Sequence, residues 1–442
     1  MPSKKHPVRP VAEKRPEQRP SKDQPRPESP ARKRFTGRLL VRLDPSASMT
    51  DILKKARTRS LRLIPLHDVP AGHLNKGLDE ADGIIFERLK VALVNERSIA
   101  SVKRLQVLRN TPFLSSEPER YIYACQAGAR KELPFRDTAA ATWGIQALNA
   151  RKSKYTGKGI KLAVLDTGFD FTHPDFMGRV IHRKSFVGRQ AKDREGHGTH
   201  CAGIAGGNRV TTKVTTEKDR VETGPTKVWK GKAGVRYGVA SGARLYIGKI
   251  LNDEGEGSDG LALAGIEWAL EQGCRVVSMS FGAQVQKGDK HSVVFEEVAK
   301  IVLSNNCLLI AATGNESDRE EGIIAPVNHP ANCPSVMAVG ALTEYLKVAN
   351  YSCATVGNTA RSDGQVDIAA PGDNILSAWI DGGHEVESGT SMAAPFVAGV
   401  AALLWEQYPD VTAREIWEKL TGQVRKLGLR TVGAGAGLVY VP

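Results

Sequence analysis

Cysteine is scarce in this chain, with six residues in 442. That excludes a disulfide framework. Cys125, Cys274, Cys307, Cys333 and Cys353 also lack the C-x2-C spacing of a zinc site. Long apolar runs are missing too: no stretch approaches the ~18–20 residues that a membrane helix needs. At the N-terminus no apolar stretch of about 7–15 residues follows the basic start, so no secretory signal is read there. Free thiols and a cytoplasmic location are the expectations that follow.

Residues 1–34 also lack aromatic and most apolar side chains. They hold 8 Pro and 11 Lys/Arg against 4 Asp/Glu, a net +7 that is half of the +14 carried by the whole chain. Such a segment cannot bury enough surface to offset its ordering entropy, so it reads as a disordered tail. Its charge suits an electrostatic tether to nucleic acid or an anionic surface; without aromatics, base stacking is not expected.

Beyond the tail, 41% hydrophobic and 25% charged residues are globular proportions, and the length suits two or three folded units. Arg38–Leu43 alternates like a strand, and Ser46 or Ser48 can cap a helix over Met49–Leu61. Asp82–Val94 mixes strand runs, Asn95–Leu105 reads as a second helix, and Glu117–Ala124 as a last strand. This β-α-β-α-β order predicts a small α/β domain over 35–124, followed by a linker over 125–142.

From 143 to 442 short apolar strands alternate with Ala/Gly-rich helices, at Ile160–Leu165, Arg244–Ile250, Arg275–Ser280, Leu308–Thr313 and Ser335–Gly340. The pattern predicts an α/β fold, a parallel sheet with helices on both faces and a site at the carboxyl ends of the strands. Four segments carry chemistry there. Val164–Gly168 (VLDTG) ends a strand with a carboxylate, and Gly196–Gly203 (GHGTHCAG) opens a helix with a histidine. Ala311–Asn315 (AATGN) ends a strand with an amide. Ser388–Gly399 (SGTSMAAPFVAG) places a serine at a helix start, with Pro395 expected in the first turn.

A serine hydroxyl needs an imidazole to take its proton, and the imidazole needs a carboxylate to fix its tautomer. A developing oxyanion needs donors already aimed at it. Asp166, His197, Ser391 and Asn315 supply these parts.

These motifs, in the order Asp, His, Ser, resemble the subtilisin-like serine proteases (the subtilase family) over about residues 143–441. The resemblance implies a serine endopeptidase with Asp166 orienting, His197 as general base, Ser391 as nucleophile and Asn315 in the oxyanion hole. In the HGTH motif the first histidine is catalytic, which selects His197 over His200. Substrate peptide would add as a strand between Ser280, Phe281 and Gly282 on one side and Gly255, Glu256 and Gly257 on the other, giving broad specificity. Ala311–Gly314, including Ala312 and Gly314, and the stretch 323–328 would line the pocket before the scissile bond. Residues 35–124 resemble the family's inhibitory propeptide, a ferredoxin-like α/β domain. This implies an autoprocessed zymogen, cut between Ala124 and Trp143, with residues 35–124 as its own inhibitor.

Several features depart from the family or remain open. Asn208–Lys232 is an insertion with 7 Lys/Arg against 3 Asp/Glu. In many members this region helps hold a structural calcium through a carboxylate matching Asp175. The insertion replaces the usual ligands, so neither calcium nor another cofactor is expected at that position; other weak calcium sites stay open. Cys201 reads as a buried small residue. Asp253, Glu254, Glu256, Asp259 and Glu316 read as a solvated rim, or as a preference for basic substrates. A lipase would need G-x-S-x-G where Gly389–Ala393 reads GTSMA, and a carboxyl peptidase would lack the histidine. The remaining alternative is a catalytically silent protein of the same fold, blocked by residues 35–124.

Overall fold

The computed structural model describes residues 33–70, 72–125, 135–211, 233–356 and 364–441. Nearly all of the basic tail, half of the 125–142 linker and most of the 208–232 insertion lie outside these residues. Arg34–Pro442 forms one compact unit.

The first part of the unit runs β1 (Phe35–Leu43), α1 (Met49–Arg57), β2 (Leu63–Pro65), α2 (Leu74–Glu80), β3 (Gly83–Phe86), β4 (Val91–Val94), α3 (Ile99–Gln106) and β5 (Phe113–Ala124). Strand order β5-β1-β4-β3 with antiparallel neighbours is the ferredoxin-like arrangement, and β2 adds in parallel to β3. Ser48 caps α1 by accepting from the Asp51 amide.

The sequence reading missed β2 and α2, three and seven residues long, which are too short for a periodic signal. It also joined β3 and β4, which are separated by a turn where Lys90 has φ 53°. Helix α1 stops at Arg57 rather than Leu61. Ser60 turns to positive φ, and Leu61 drops into the core.

β3 (GIIF) and β4 (VALV) are buried at every residue. Unbroken apolar runs mean that both faces of this sheet are covered. Leu39, Val41, Ala92 and Val94 face the domain's own core with Ile52, Val102 and Leu105. Leu40, Ile84, Phe86, Val91 and Leu93 face the other way, into a core shared with the rest of the chain.

The second part contains α4 (Trp143–Ala147), β6 (Lys161–Asp166), β7 (His182–Ser185), α5 (His197–Gly206), β8 (Arg244–Lys249), β9 (Glu256–Ser258), α6 (Asp259–Glu271), β10 (Val276–Met279), β11 (Phe281–Gly282) and α7 (Val293–Ser304). It continues with β12 (Leu308–Ala312), β13 (Met337–Leu342), β14 (Ile368–Pro371), β15 (Ile375–Ala378), β16 (His384–Glu387), α8 (Thr390–Gln407), α9 (Ala413–Gly422), β17 (Val424–Arg425), α10 (Thr431–Ala434) and β18 (Leu438–Val439). Among the described residues a nine-stranded sheet runs β17-β18-β14-β13-β12-β10-β6-β8-β7 and is parallel apart from β17. Leu162, Val164, Leu308 and Ile310 share a core with α5, α8 and α9. Ala163, Leu165, Val277 and Leu309 share the opposite core with α6, α7 and the N-terminal sheet. Helices on both faces of a parallel sheet make this an α/β fold, as the strand pattern predicted. No described helix is long and apolar enough to cross a membrane.

The last turn of β5 leaves the N-terminal sheet and pairs elsewhere. Tyr121, Ile122 and Tyr123 lie antiparallel to Ser258, Gly257 and Glu256, while Tyr123 and Ala124 lie antiparallel to Gly282 and Phe281. Residues 121–124 are therefore a strand inserted between β9 and β11.

Candidate active site

Asp166 ends β6, and its carboxylate is fully buried. Oδ1 lies 2.7 Å from His197 Nδ1 and also accepts the Thr167 amide at 2.7 Å. Helix α5 can begin with His197 because Gly196, at φ 114°, makes the turn before it; a Cβ there would lie 2.3 Å from the Trp379 ring. Asp193 fixes this helix start. Its Oδ1 accepts the Thr167 hydroxyl and the Gly196 amide, and its Oδ2 accepts the amide and hydroxyl of Thr199. Burial disfavours the His197 imidazolium, but the Asp166 carboxylate outweighs it and holds the His197 pKa well above its ordinary value.

Ser391 is the second residue of α8. Pro395 falls in the second turn of this helix, not the first as the sequence suggested. Proline has no amide hydrogen, so the carbonyl four residues back, that of Ser391, loses its helical donor. The Ser280 hydroxyl takes that place at 2.7 Å, and the Cys201 thiol approaches at 3.5 Å. In return the Ser391 hydroxyl donates to the Ser280 carbonyl at 2.8 Å rather than to His197 Nε2. The Cys201 sulfur, 3.9 and 4.0 Å from the two His197 ring nitrogens, places imidazole and Ser391 backbone against the same atom. Burial pushes the Cys201 thiol up to about 11, so it is a neutral packing residue.

Asn315 follows β12. Its Oδ1 accepts both the amide and the hydroxyl of Thr390, at 2.9 and 3.0 Å. That pins the side chain by its acceptor and leaves the buried Nδ2 without a hydrogen-bond partner. A donor held out in this way suits an oxyanion. The Asn315 turn is braced by Glu316, whose Oε2 accepts the Asn315 amide, Asn328 Nδ2 and the Cys353 thiol.

The remaining residues singled out from sequence divide into those at the cleft and those below it. Ser280, Phe281 and Gly282 form one wall and Gly255, Glu256 and Gly257 the other, with residues 121–124 between them. Gly314, at φ 103°, abuts Asn328, whose amide a Cβ would meet at 2.3 Å. Ala312 is fully buried in the core and pairs with Val339. Ile323 and Ile324 are exposed. His200 is buried, donates to the Ile375 and Glu385 carbonyls and has its pKa pushed to about 3 by burial and by His197; it packs rather than titrates.

The reading of Asp259 as a solvated rim charge is corrected: it is fully buried, 2.9 Å from His329 Nε2, and accepts the Arg120 amide at 2.9 Å. Asp253, Glu254 and Glu256 are exposed, with Asp253 paired to Lys249 at 2.7 Å. Sequence reasoning also missed two carboxylates of β5. Glu119, fully buried, accepts Thr36 Oγ1, Arg38 Nε and the Gly260 amide in the first turn of α6. Glu117 accepts the Ser292 hydroxyl and the Val293 amide where α7 begins. Anions at helix starts meet unpaired amides, so β5 caps two helices of the catalytic part. The glutamates' alternation along a strand was the only signal for this.

His173, Asp175 and His384 form a buried cluster with metal-ligand chemistry. Its atoms are already committed. Asp175 Oδ1 accepts the amide and hydroxyl of Thr211, and Oδ2 accepts from Tyr237 and His384. His173 binds the Gly383 carbonyl through Nε2 and the Asp175 amide through Nδ1. Burial works against the Asp175 charge, but the His384 and Thr211 hydrogen bonds prevail and hold its pKa at about 2. Four protein donors on one carboxylate, flanked by imidazoles, do not fit a calcium ion, which takes six to eight oxygens.

A family model described as the Subtilase family matches residues 157–438. The chain is 33% identical over 305 residues to subtilisin E of Bacillus subtilis (strain 168), covering 68% of this chain and 70% of that protein. It is 32% identical over 314 residues to a cuticle-degrading protease of Metarhizium anisopliae, covering 68% and 69%. It is 33% identical over 296 residues to an intracellular serine protease of Paenibacillus polymyxa, covering 64% and 80%.

Proposed function

The chain belongs to the subtilase family and is a serine endopeptidase, and from that premise we propose that Asp166, His197, Ser391 and Asn315 carry its reaction in a precursor that cuts itself. The observation that carries the reading is the buried 2.7 Å contact of His197 with Asp166 beside the first turn of α8.

In this mechanism the Ser391 hydroxyl swings from the Ser280 carbonyl to His197 Nε2. It gives its proton to the imidazole as Oγ attacks the peptide carbonyl carbon. Asp166 keeps the proton of Nδ1 in place and stabilises the imidazolium. Asn315 Nδ2 and the amides of the first turn of α8 receive the oxyanion. Collapse breaks the C–N bond, and His197 returns the proton to the leaving amine. A water then repeats the sequence on the acyl-enzyme and frees the acid.

Residues 121–124 occupy the position of a substrate strand, which supports residues 35–124 as an intramolecular inhibitor. The Cys125 amide lies 3.5 Å from the Ser280 carbonyl oxygen, the atom to which Ser391 Oγ is bonded. From that shared acceptor we infer that the next carbonyl, that of Cys125, faces the nucleophile, and we assign Cys125–Gln126 as the processing bond. Binding by backbone pairing fits broad specificity. Six buried thiols, none in a disulfide, fit a reducing cytoplasm.

A fluorophosphonate probe tests the assignment. The processed protein should be labelled at Ser391, and Asp166→Asn should slow labelling and peptide hydrolysis by about four orders of magnitude. Absence of labelling in a processed, folded sample would favour the silent, blocked alternative.

A further inference from the structure

Among the described residues strand β7 is an edge of the nine-stranded sheet. Beside it lies a cavity of about 560 Å³, walled by residues 170–172, 183–185 and 188–192. Arg183, Lys184, Arg189 and Lys192 line it, and none of the four is ion-paired to a carboxylate among the described residues. Asp170 lines it too, but its carboxylate is engaged by the Thr172 amide and hydroxyl and by the Gly382 amide. Ser185 is 6% exposed and also lines the cavity, and its hydroxyl has no hydrogen-bond partner.

Edge strands often carry Lys and Arg to prevent pairing with other chains. That explains cations on β7. It does not explain a hollow between β7 and the following loop, or a buried hydroxyl without a partner beneath it, since such groups are normally satisfied. The lining mixes polar and apolar surface. Its one aromatic ring, Phe171, is covered by the Arg183 guanidinium at 4.5 Å.

We propose that this cavity binds an oligophosphate anion, a chain of linked phosphates. Two guanidinium forks match phosphate oxygens in pairs, the Lys192 ammonium adds point charge, and the Ser185 hydroxyl supplies a neutral donor, while the Lys184 ammonium lies over the Phe186 ring at 5.4 Å. The volume lies within the usual range for small-molecule sites, roughly 300–1,000 Å³, and exceeds what one phosphate fills. The wall is also tied to the catalytic segment: Ala191 accepts the Phe169 amide at 3.1 Å, and Asp193, next to Lys192, donates back to Phe169 at 3.1 Å. Occupancy therefore braces the stretch that holds the His197 helix and raises the unfolding temperature as ligand is added.

The test is calorimetric titration of the full-length Ser391→Ala chain with sodium tripolyphosphate at constant ionic strength. Tripolyphosphate should bind at one saturable site, with orthophosphate roughly tenfold weaker. Arg183→Gln combined with Arg189→Gln should weaken binding roughly tenfold or more. Ser185→Ala, which leaves the charge unchanged, should weaken it about threefold or more. In the Ser391 background the same substitutions should leave peptide hydrolysis unchanged, and each variant should unfold at the wild-type temperature without ligand. Equal affinity in the arginine double variant would overturn the proposal and move binding to the basic tail or another surface. So would failure of tripolyphosphate to bind, or binding of a poly-glutamate peptide in its place.

Discussion

Asn315 is held by its acceptor, which also ties down Thr390 at the start of α8, and offers its donor, so its loss should act chiefly on the transition state. Asn315→Ala should lower kcat about 10²–10³-fold with KM little changed, measured on a chromogenic peptide. Ser280 has a different duty. Its hydroxyl replaces the helical donor that Pro395 cannot supply to the Ser391 carbonyl. Ser280→Ala should cost about 1–3 kcal/mol, read as a lower denaturant midpoint, because a buried carbonyl loses its partner.

Glu387 has its pKa pushed to about 7, mainly by burial, with the charge of His197 opposing. A carboxyl raised in the fold gives stability that is full below its unfolded value near 4.5 and lost as pH rises through 7. Glu387→Gln cannot ionise, so unfolding measured at several pH values should show the variant gaining on the wild type between pH 4.5 and 7. Without the nearby carboxylate, the His197 limb of the rate profile should move to lower pH.

The four residues proposed to react stood out in the sequence because each sits at a strand end or helix start within a short motif. Asp259 was not, because its partners His329 and Arg120 lie 70 and 139 residues away in sequence. Pro395 was placed one turn early, since the start of α8 is set by Thr390 bonding to Asn315, a contact with no local sequence signature.

At the scale of elements, β5 does three jobs. It pairs with β1, caps α6 and α7 through Glu119 and Glu117, and places its end between β9 and β11. Glu119→Ala would leave the Gly260 amide, Thr36 and Arg38 without their shared acceptor. The expected outcome is faster release of the N-terminal domain after processing. Full peptidase activity should then appear roughly tenfold sooner in a progress curve started at dilution. An unchanged lag would remove the capping contacts from the account of inhibition. The sheet pattern of the catalytic part was readable because parallel strands buried on both faces are continuous apolar runs. In the N-terminal part, β3 and β4 were equally apolar for a reason outside their own domain: α6 and α7 cover their second face. A local reading has no access to that cover.

At the scale of the whole molecule, two cores flank one parallel sheet, and the second extends without a break into the N-terminal domain. On the proposed reading the chain folds around a site that its own strand, residues 121–124 between β9 and β11, already occupies. Intact mass and N-terminal sequence of pure wild type and Ser391→Ala test that account most directly. The wild type should yield one fragment ending at Cys125 and one beginning at Gln126, while Ser391→Ala stays whole at 47.8 kDa. Cleavage of purified Ser391→Ala at the wild-type rate, or a wild-type cut far from Cys125, would contradict it.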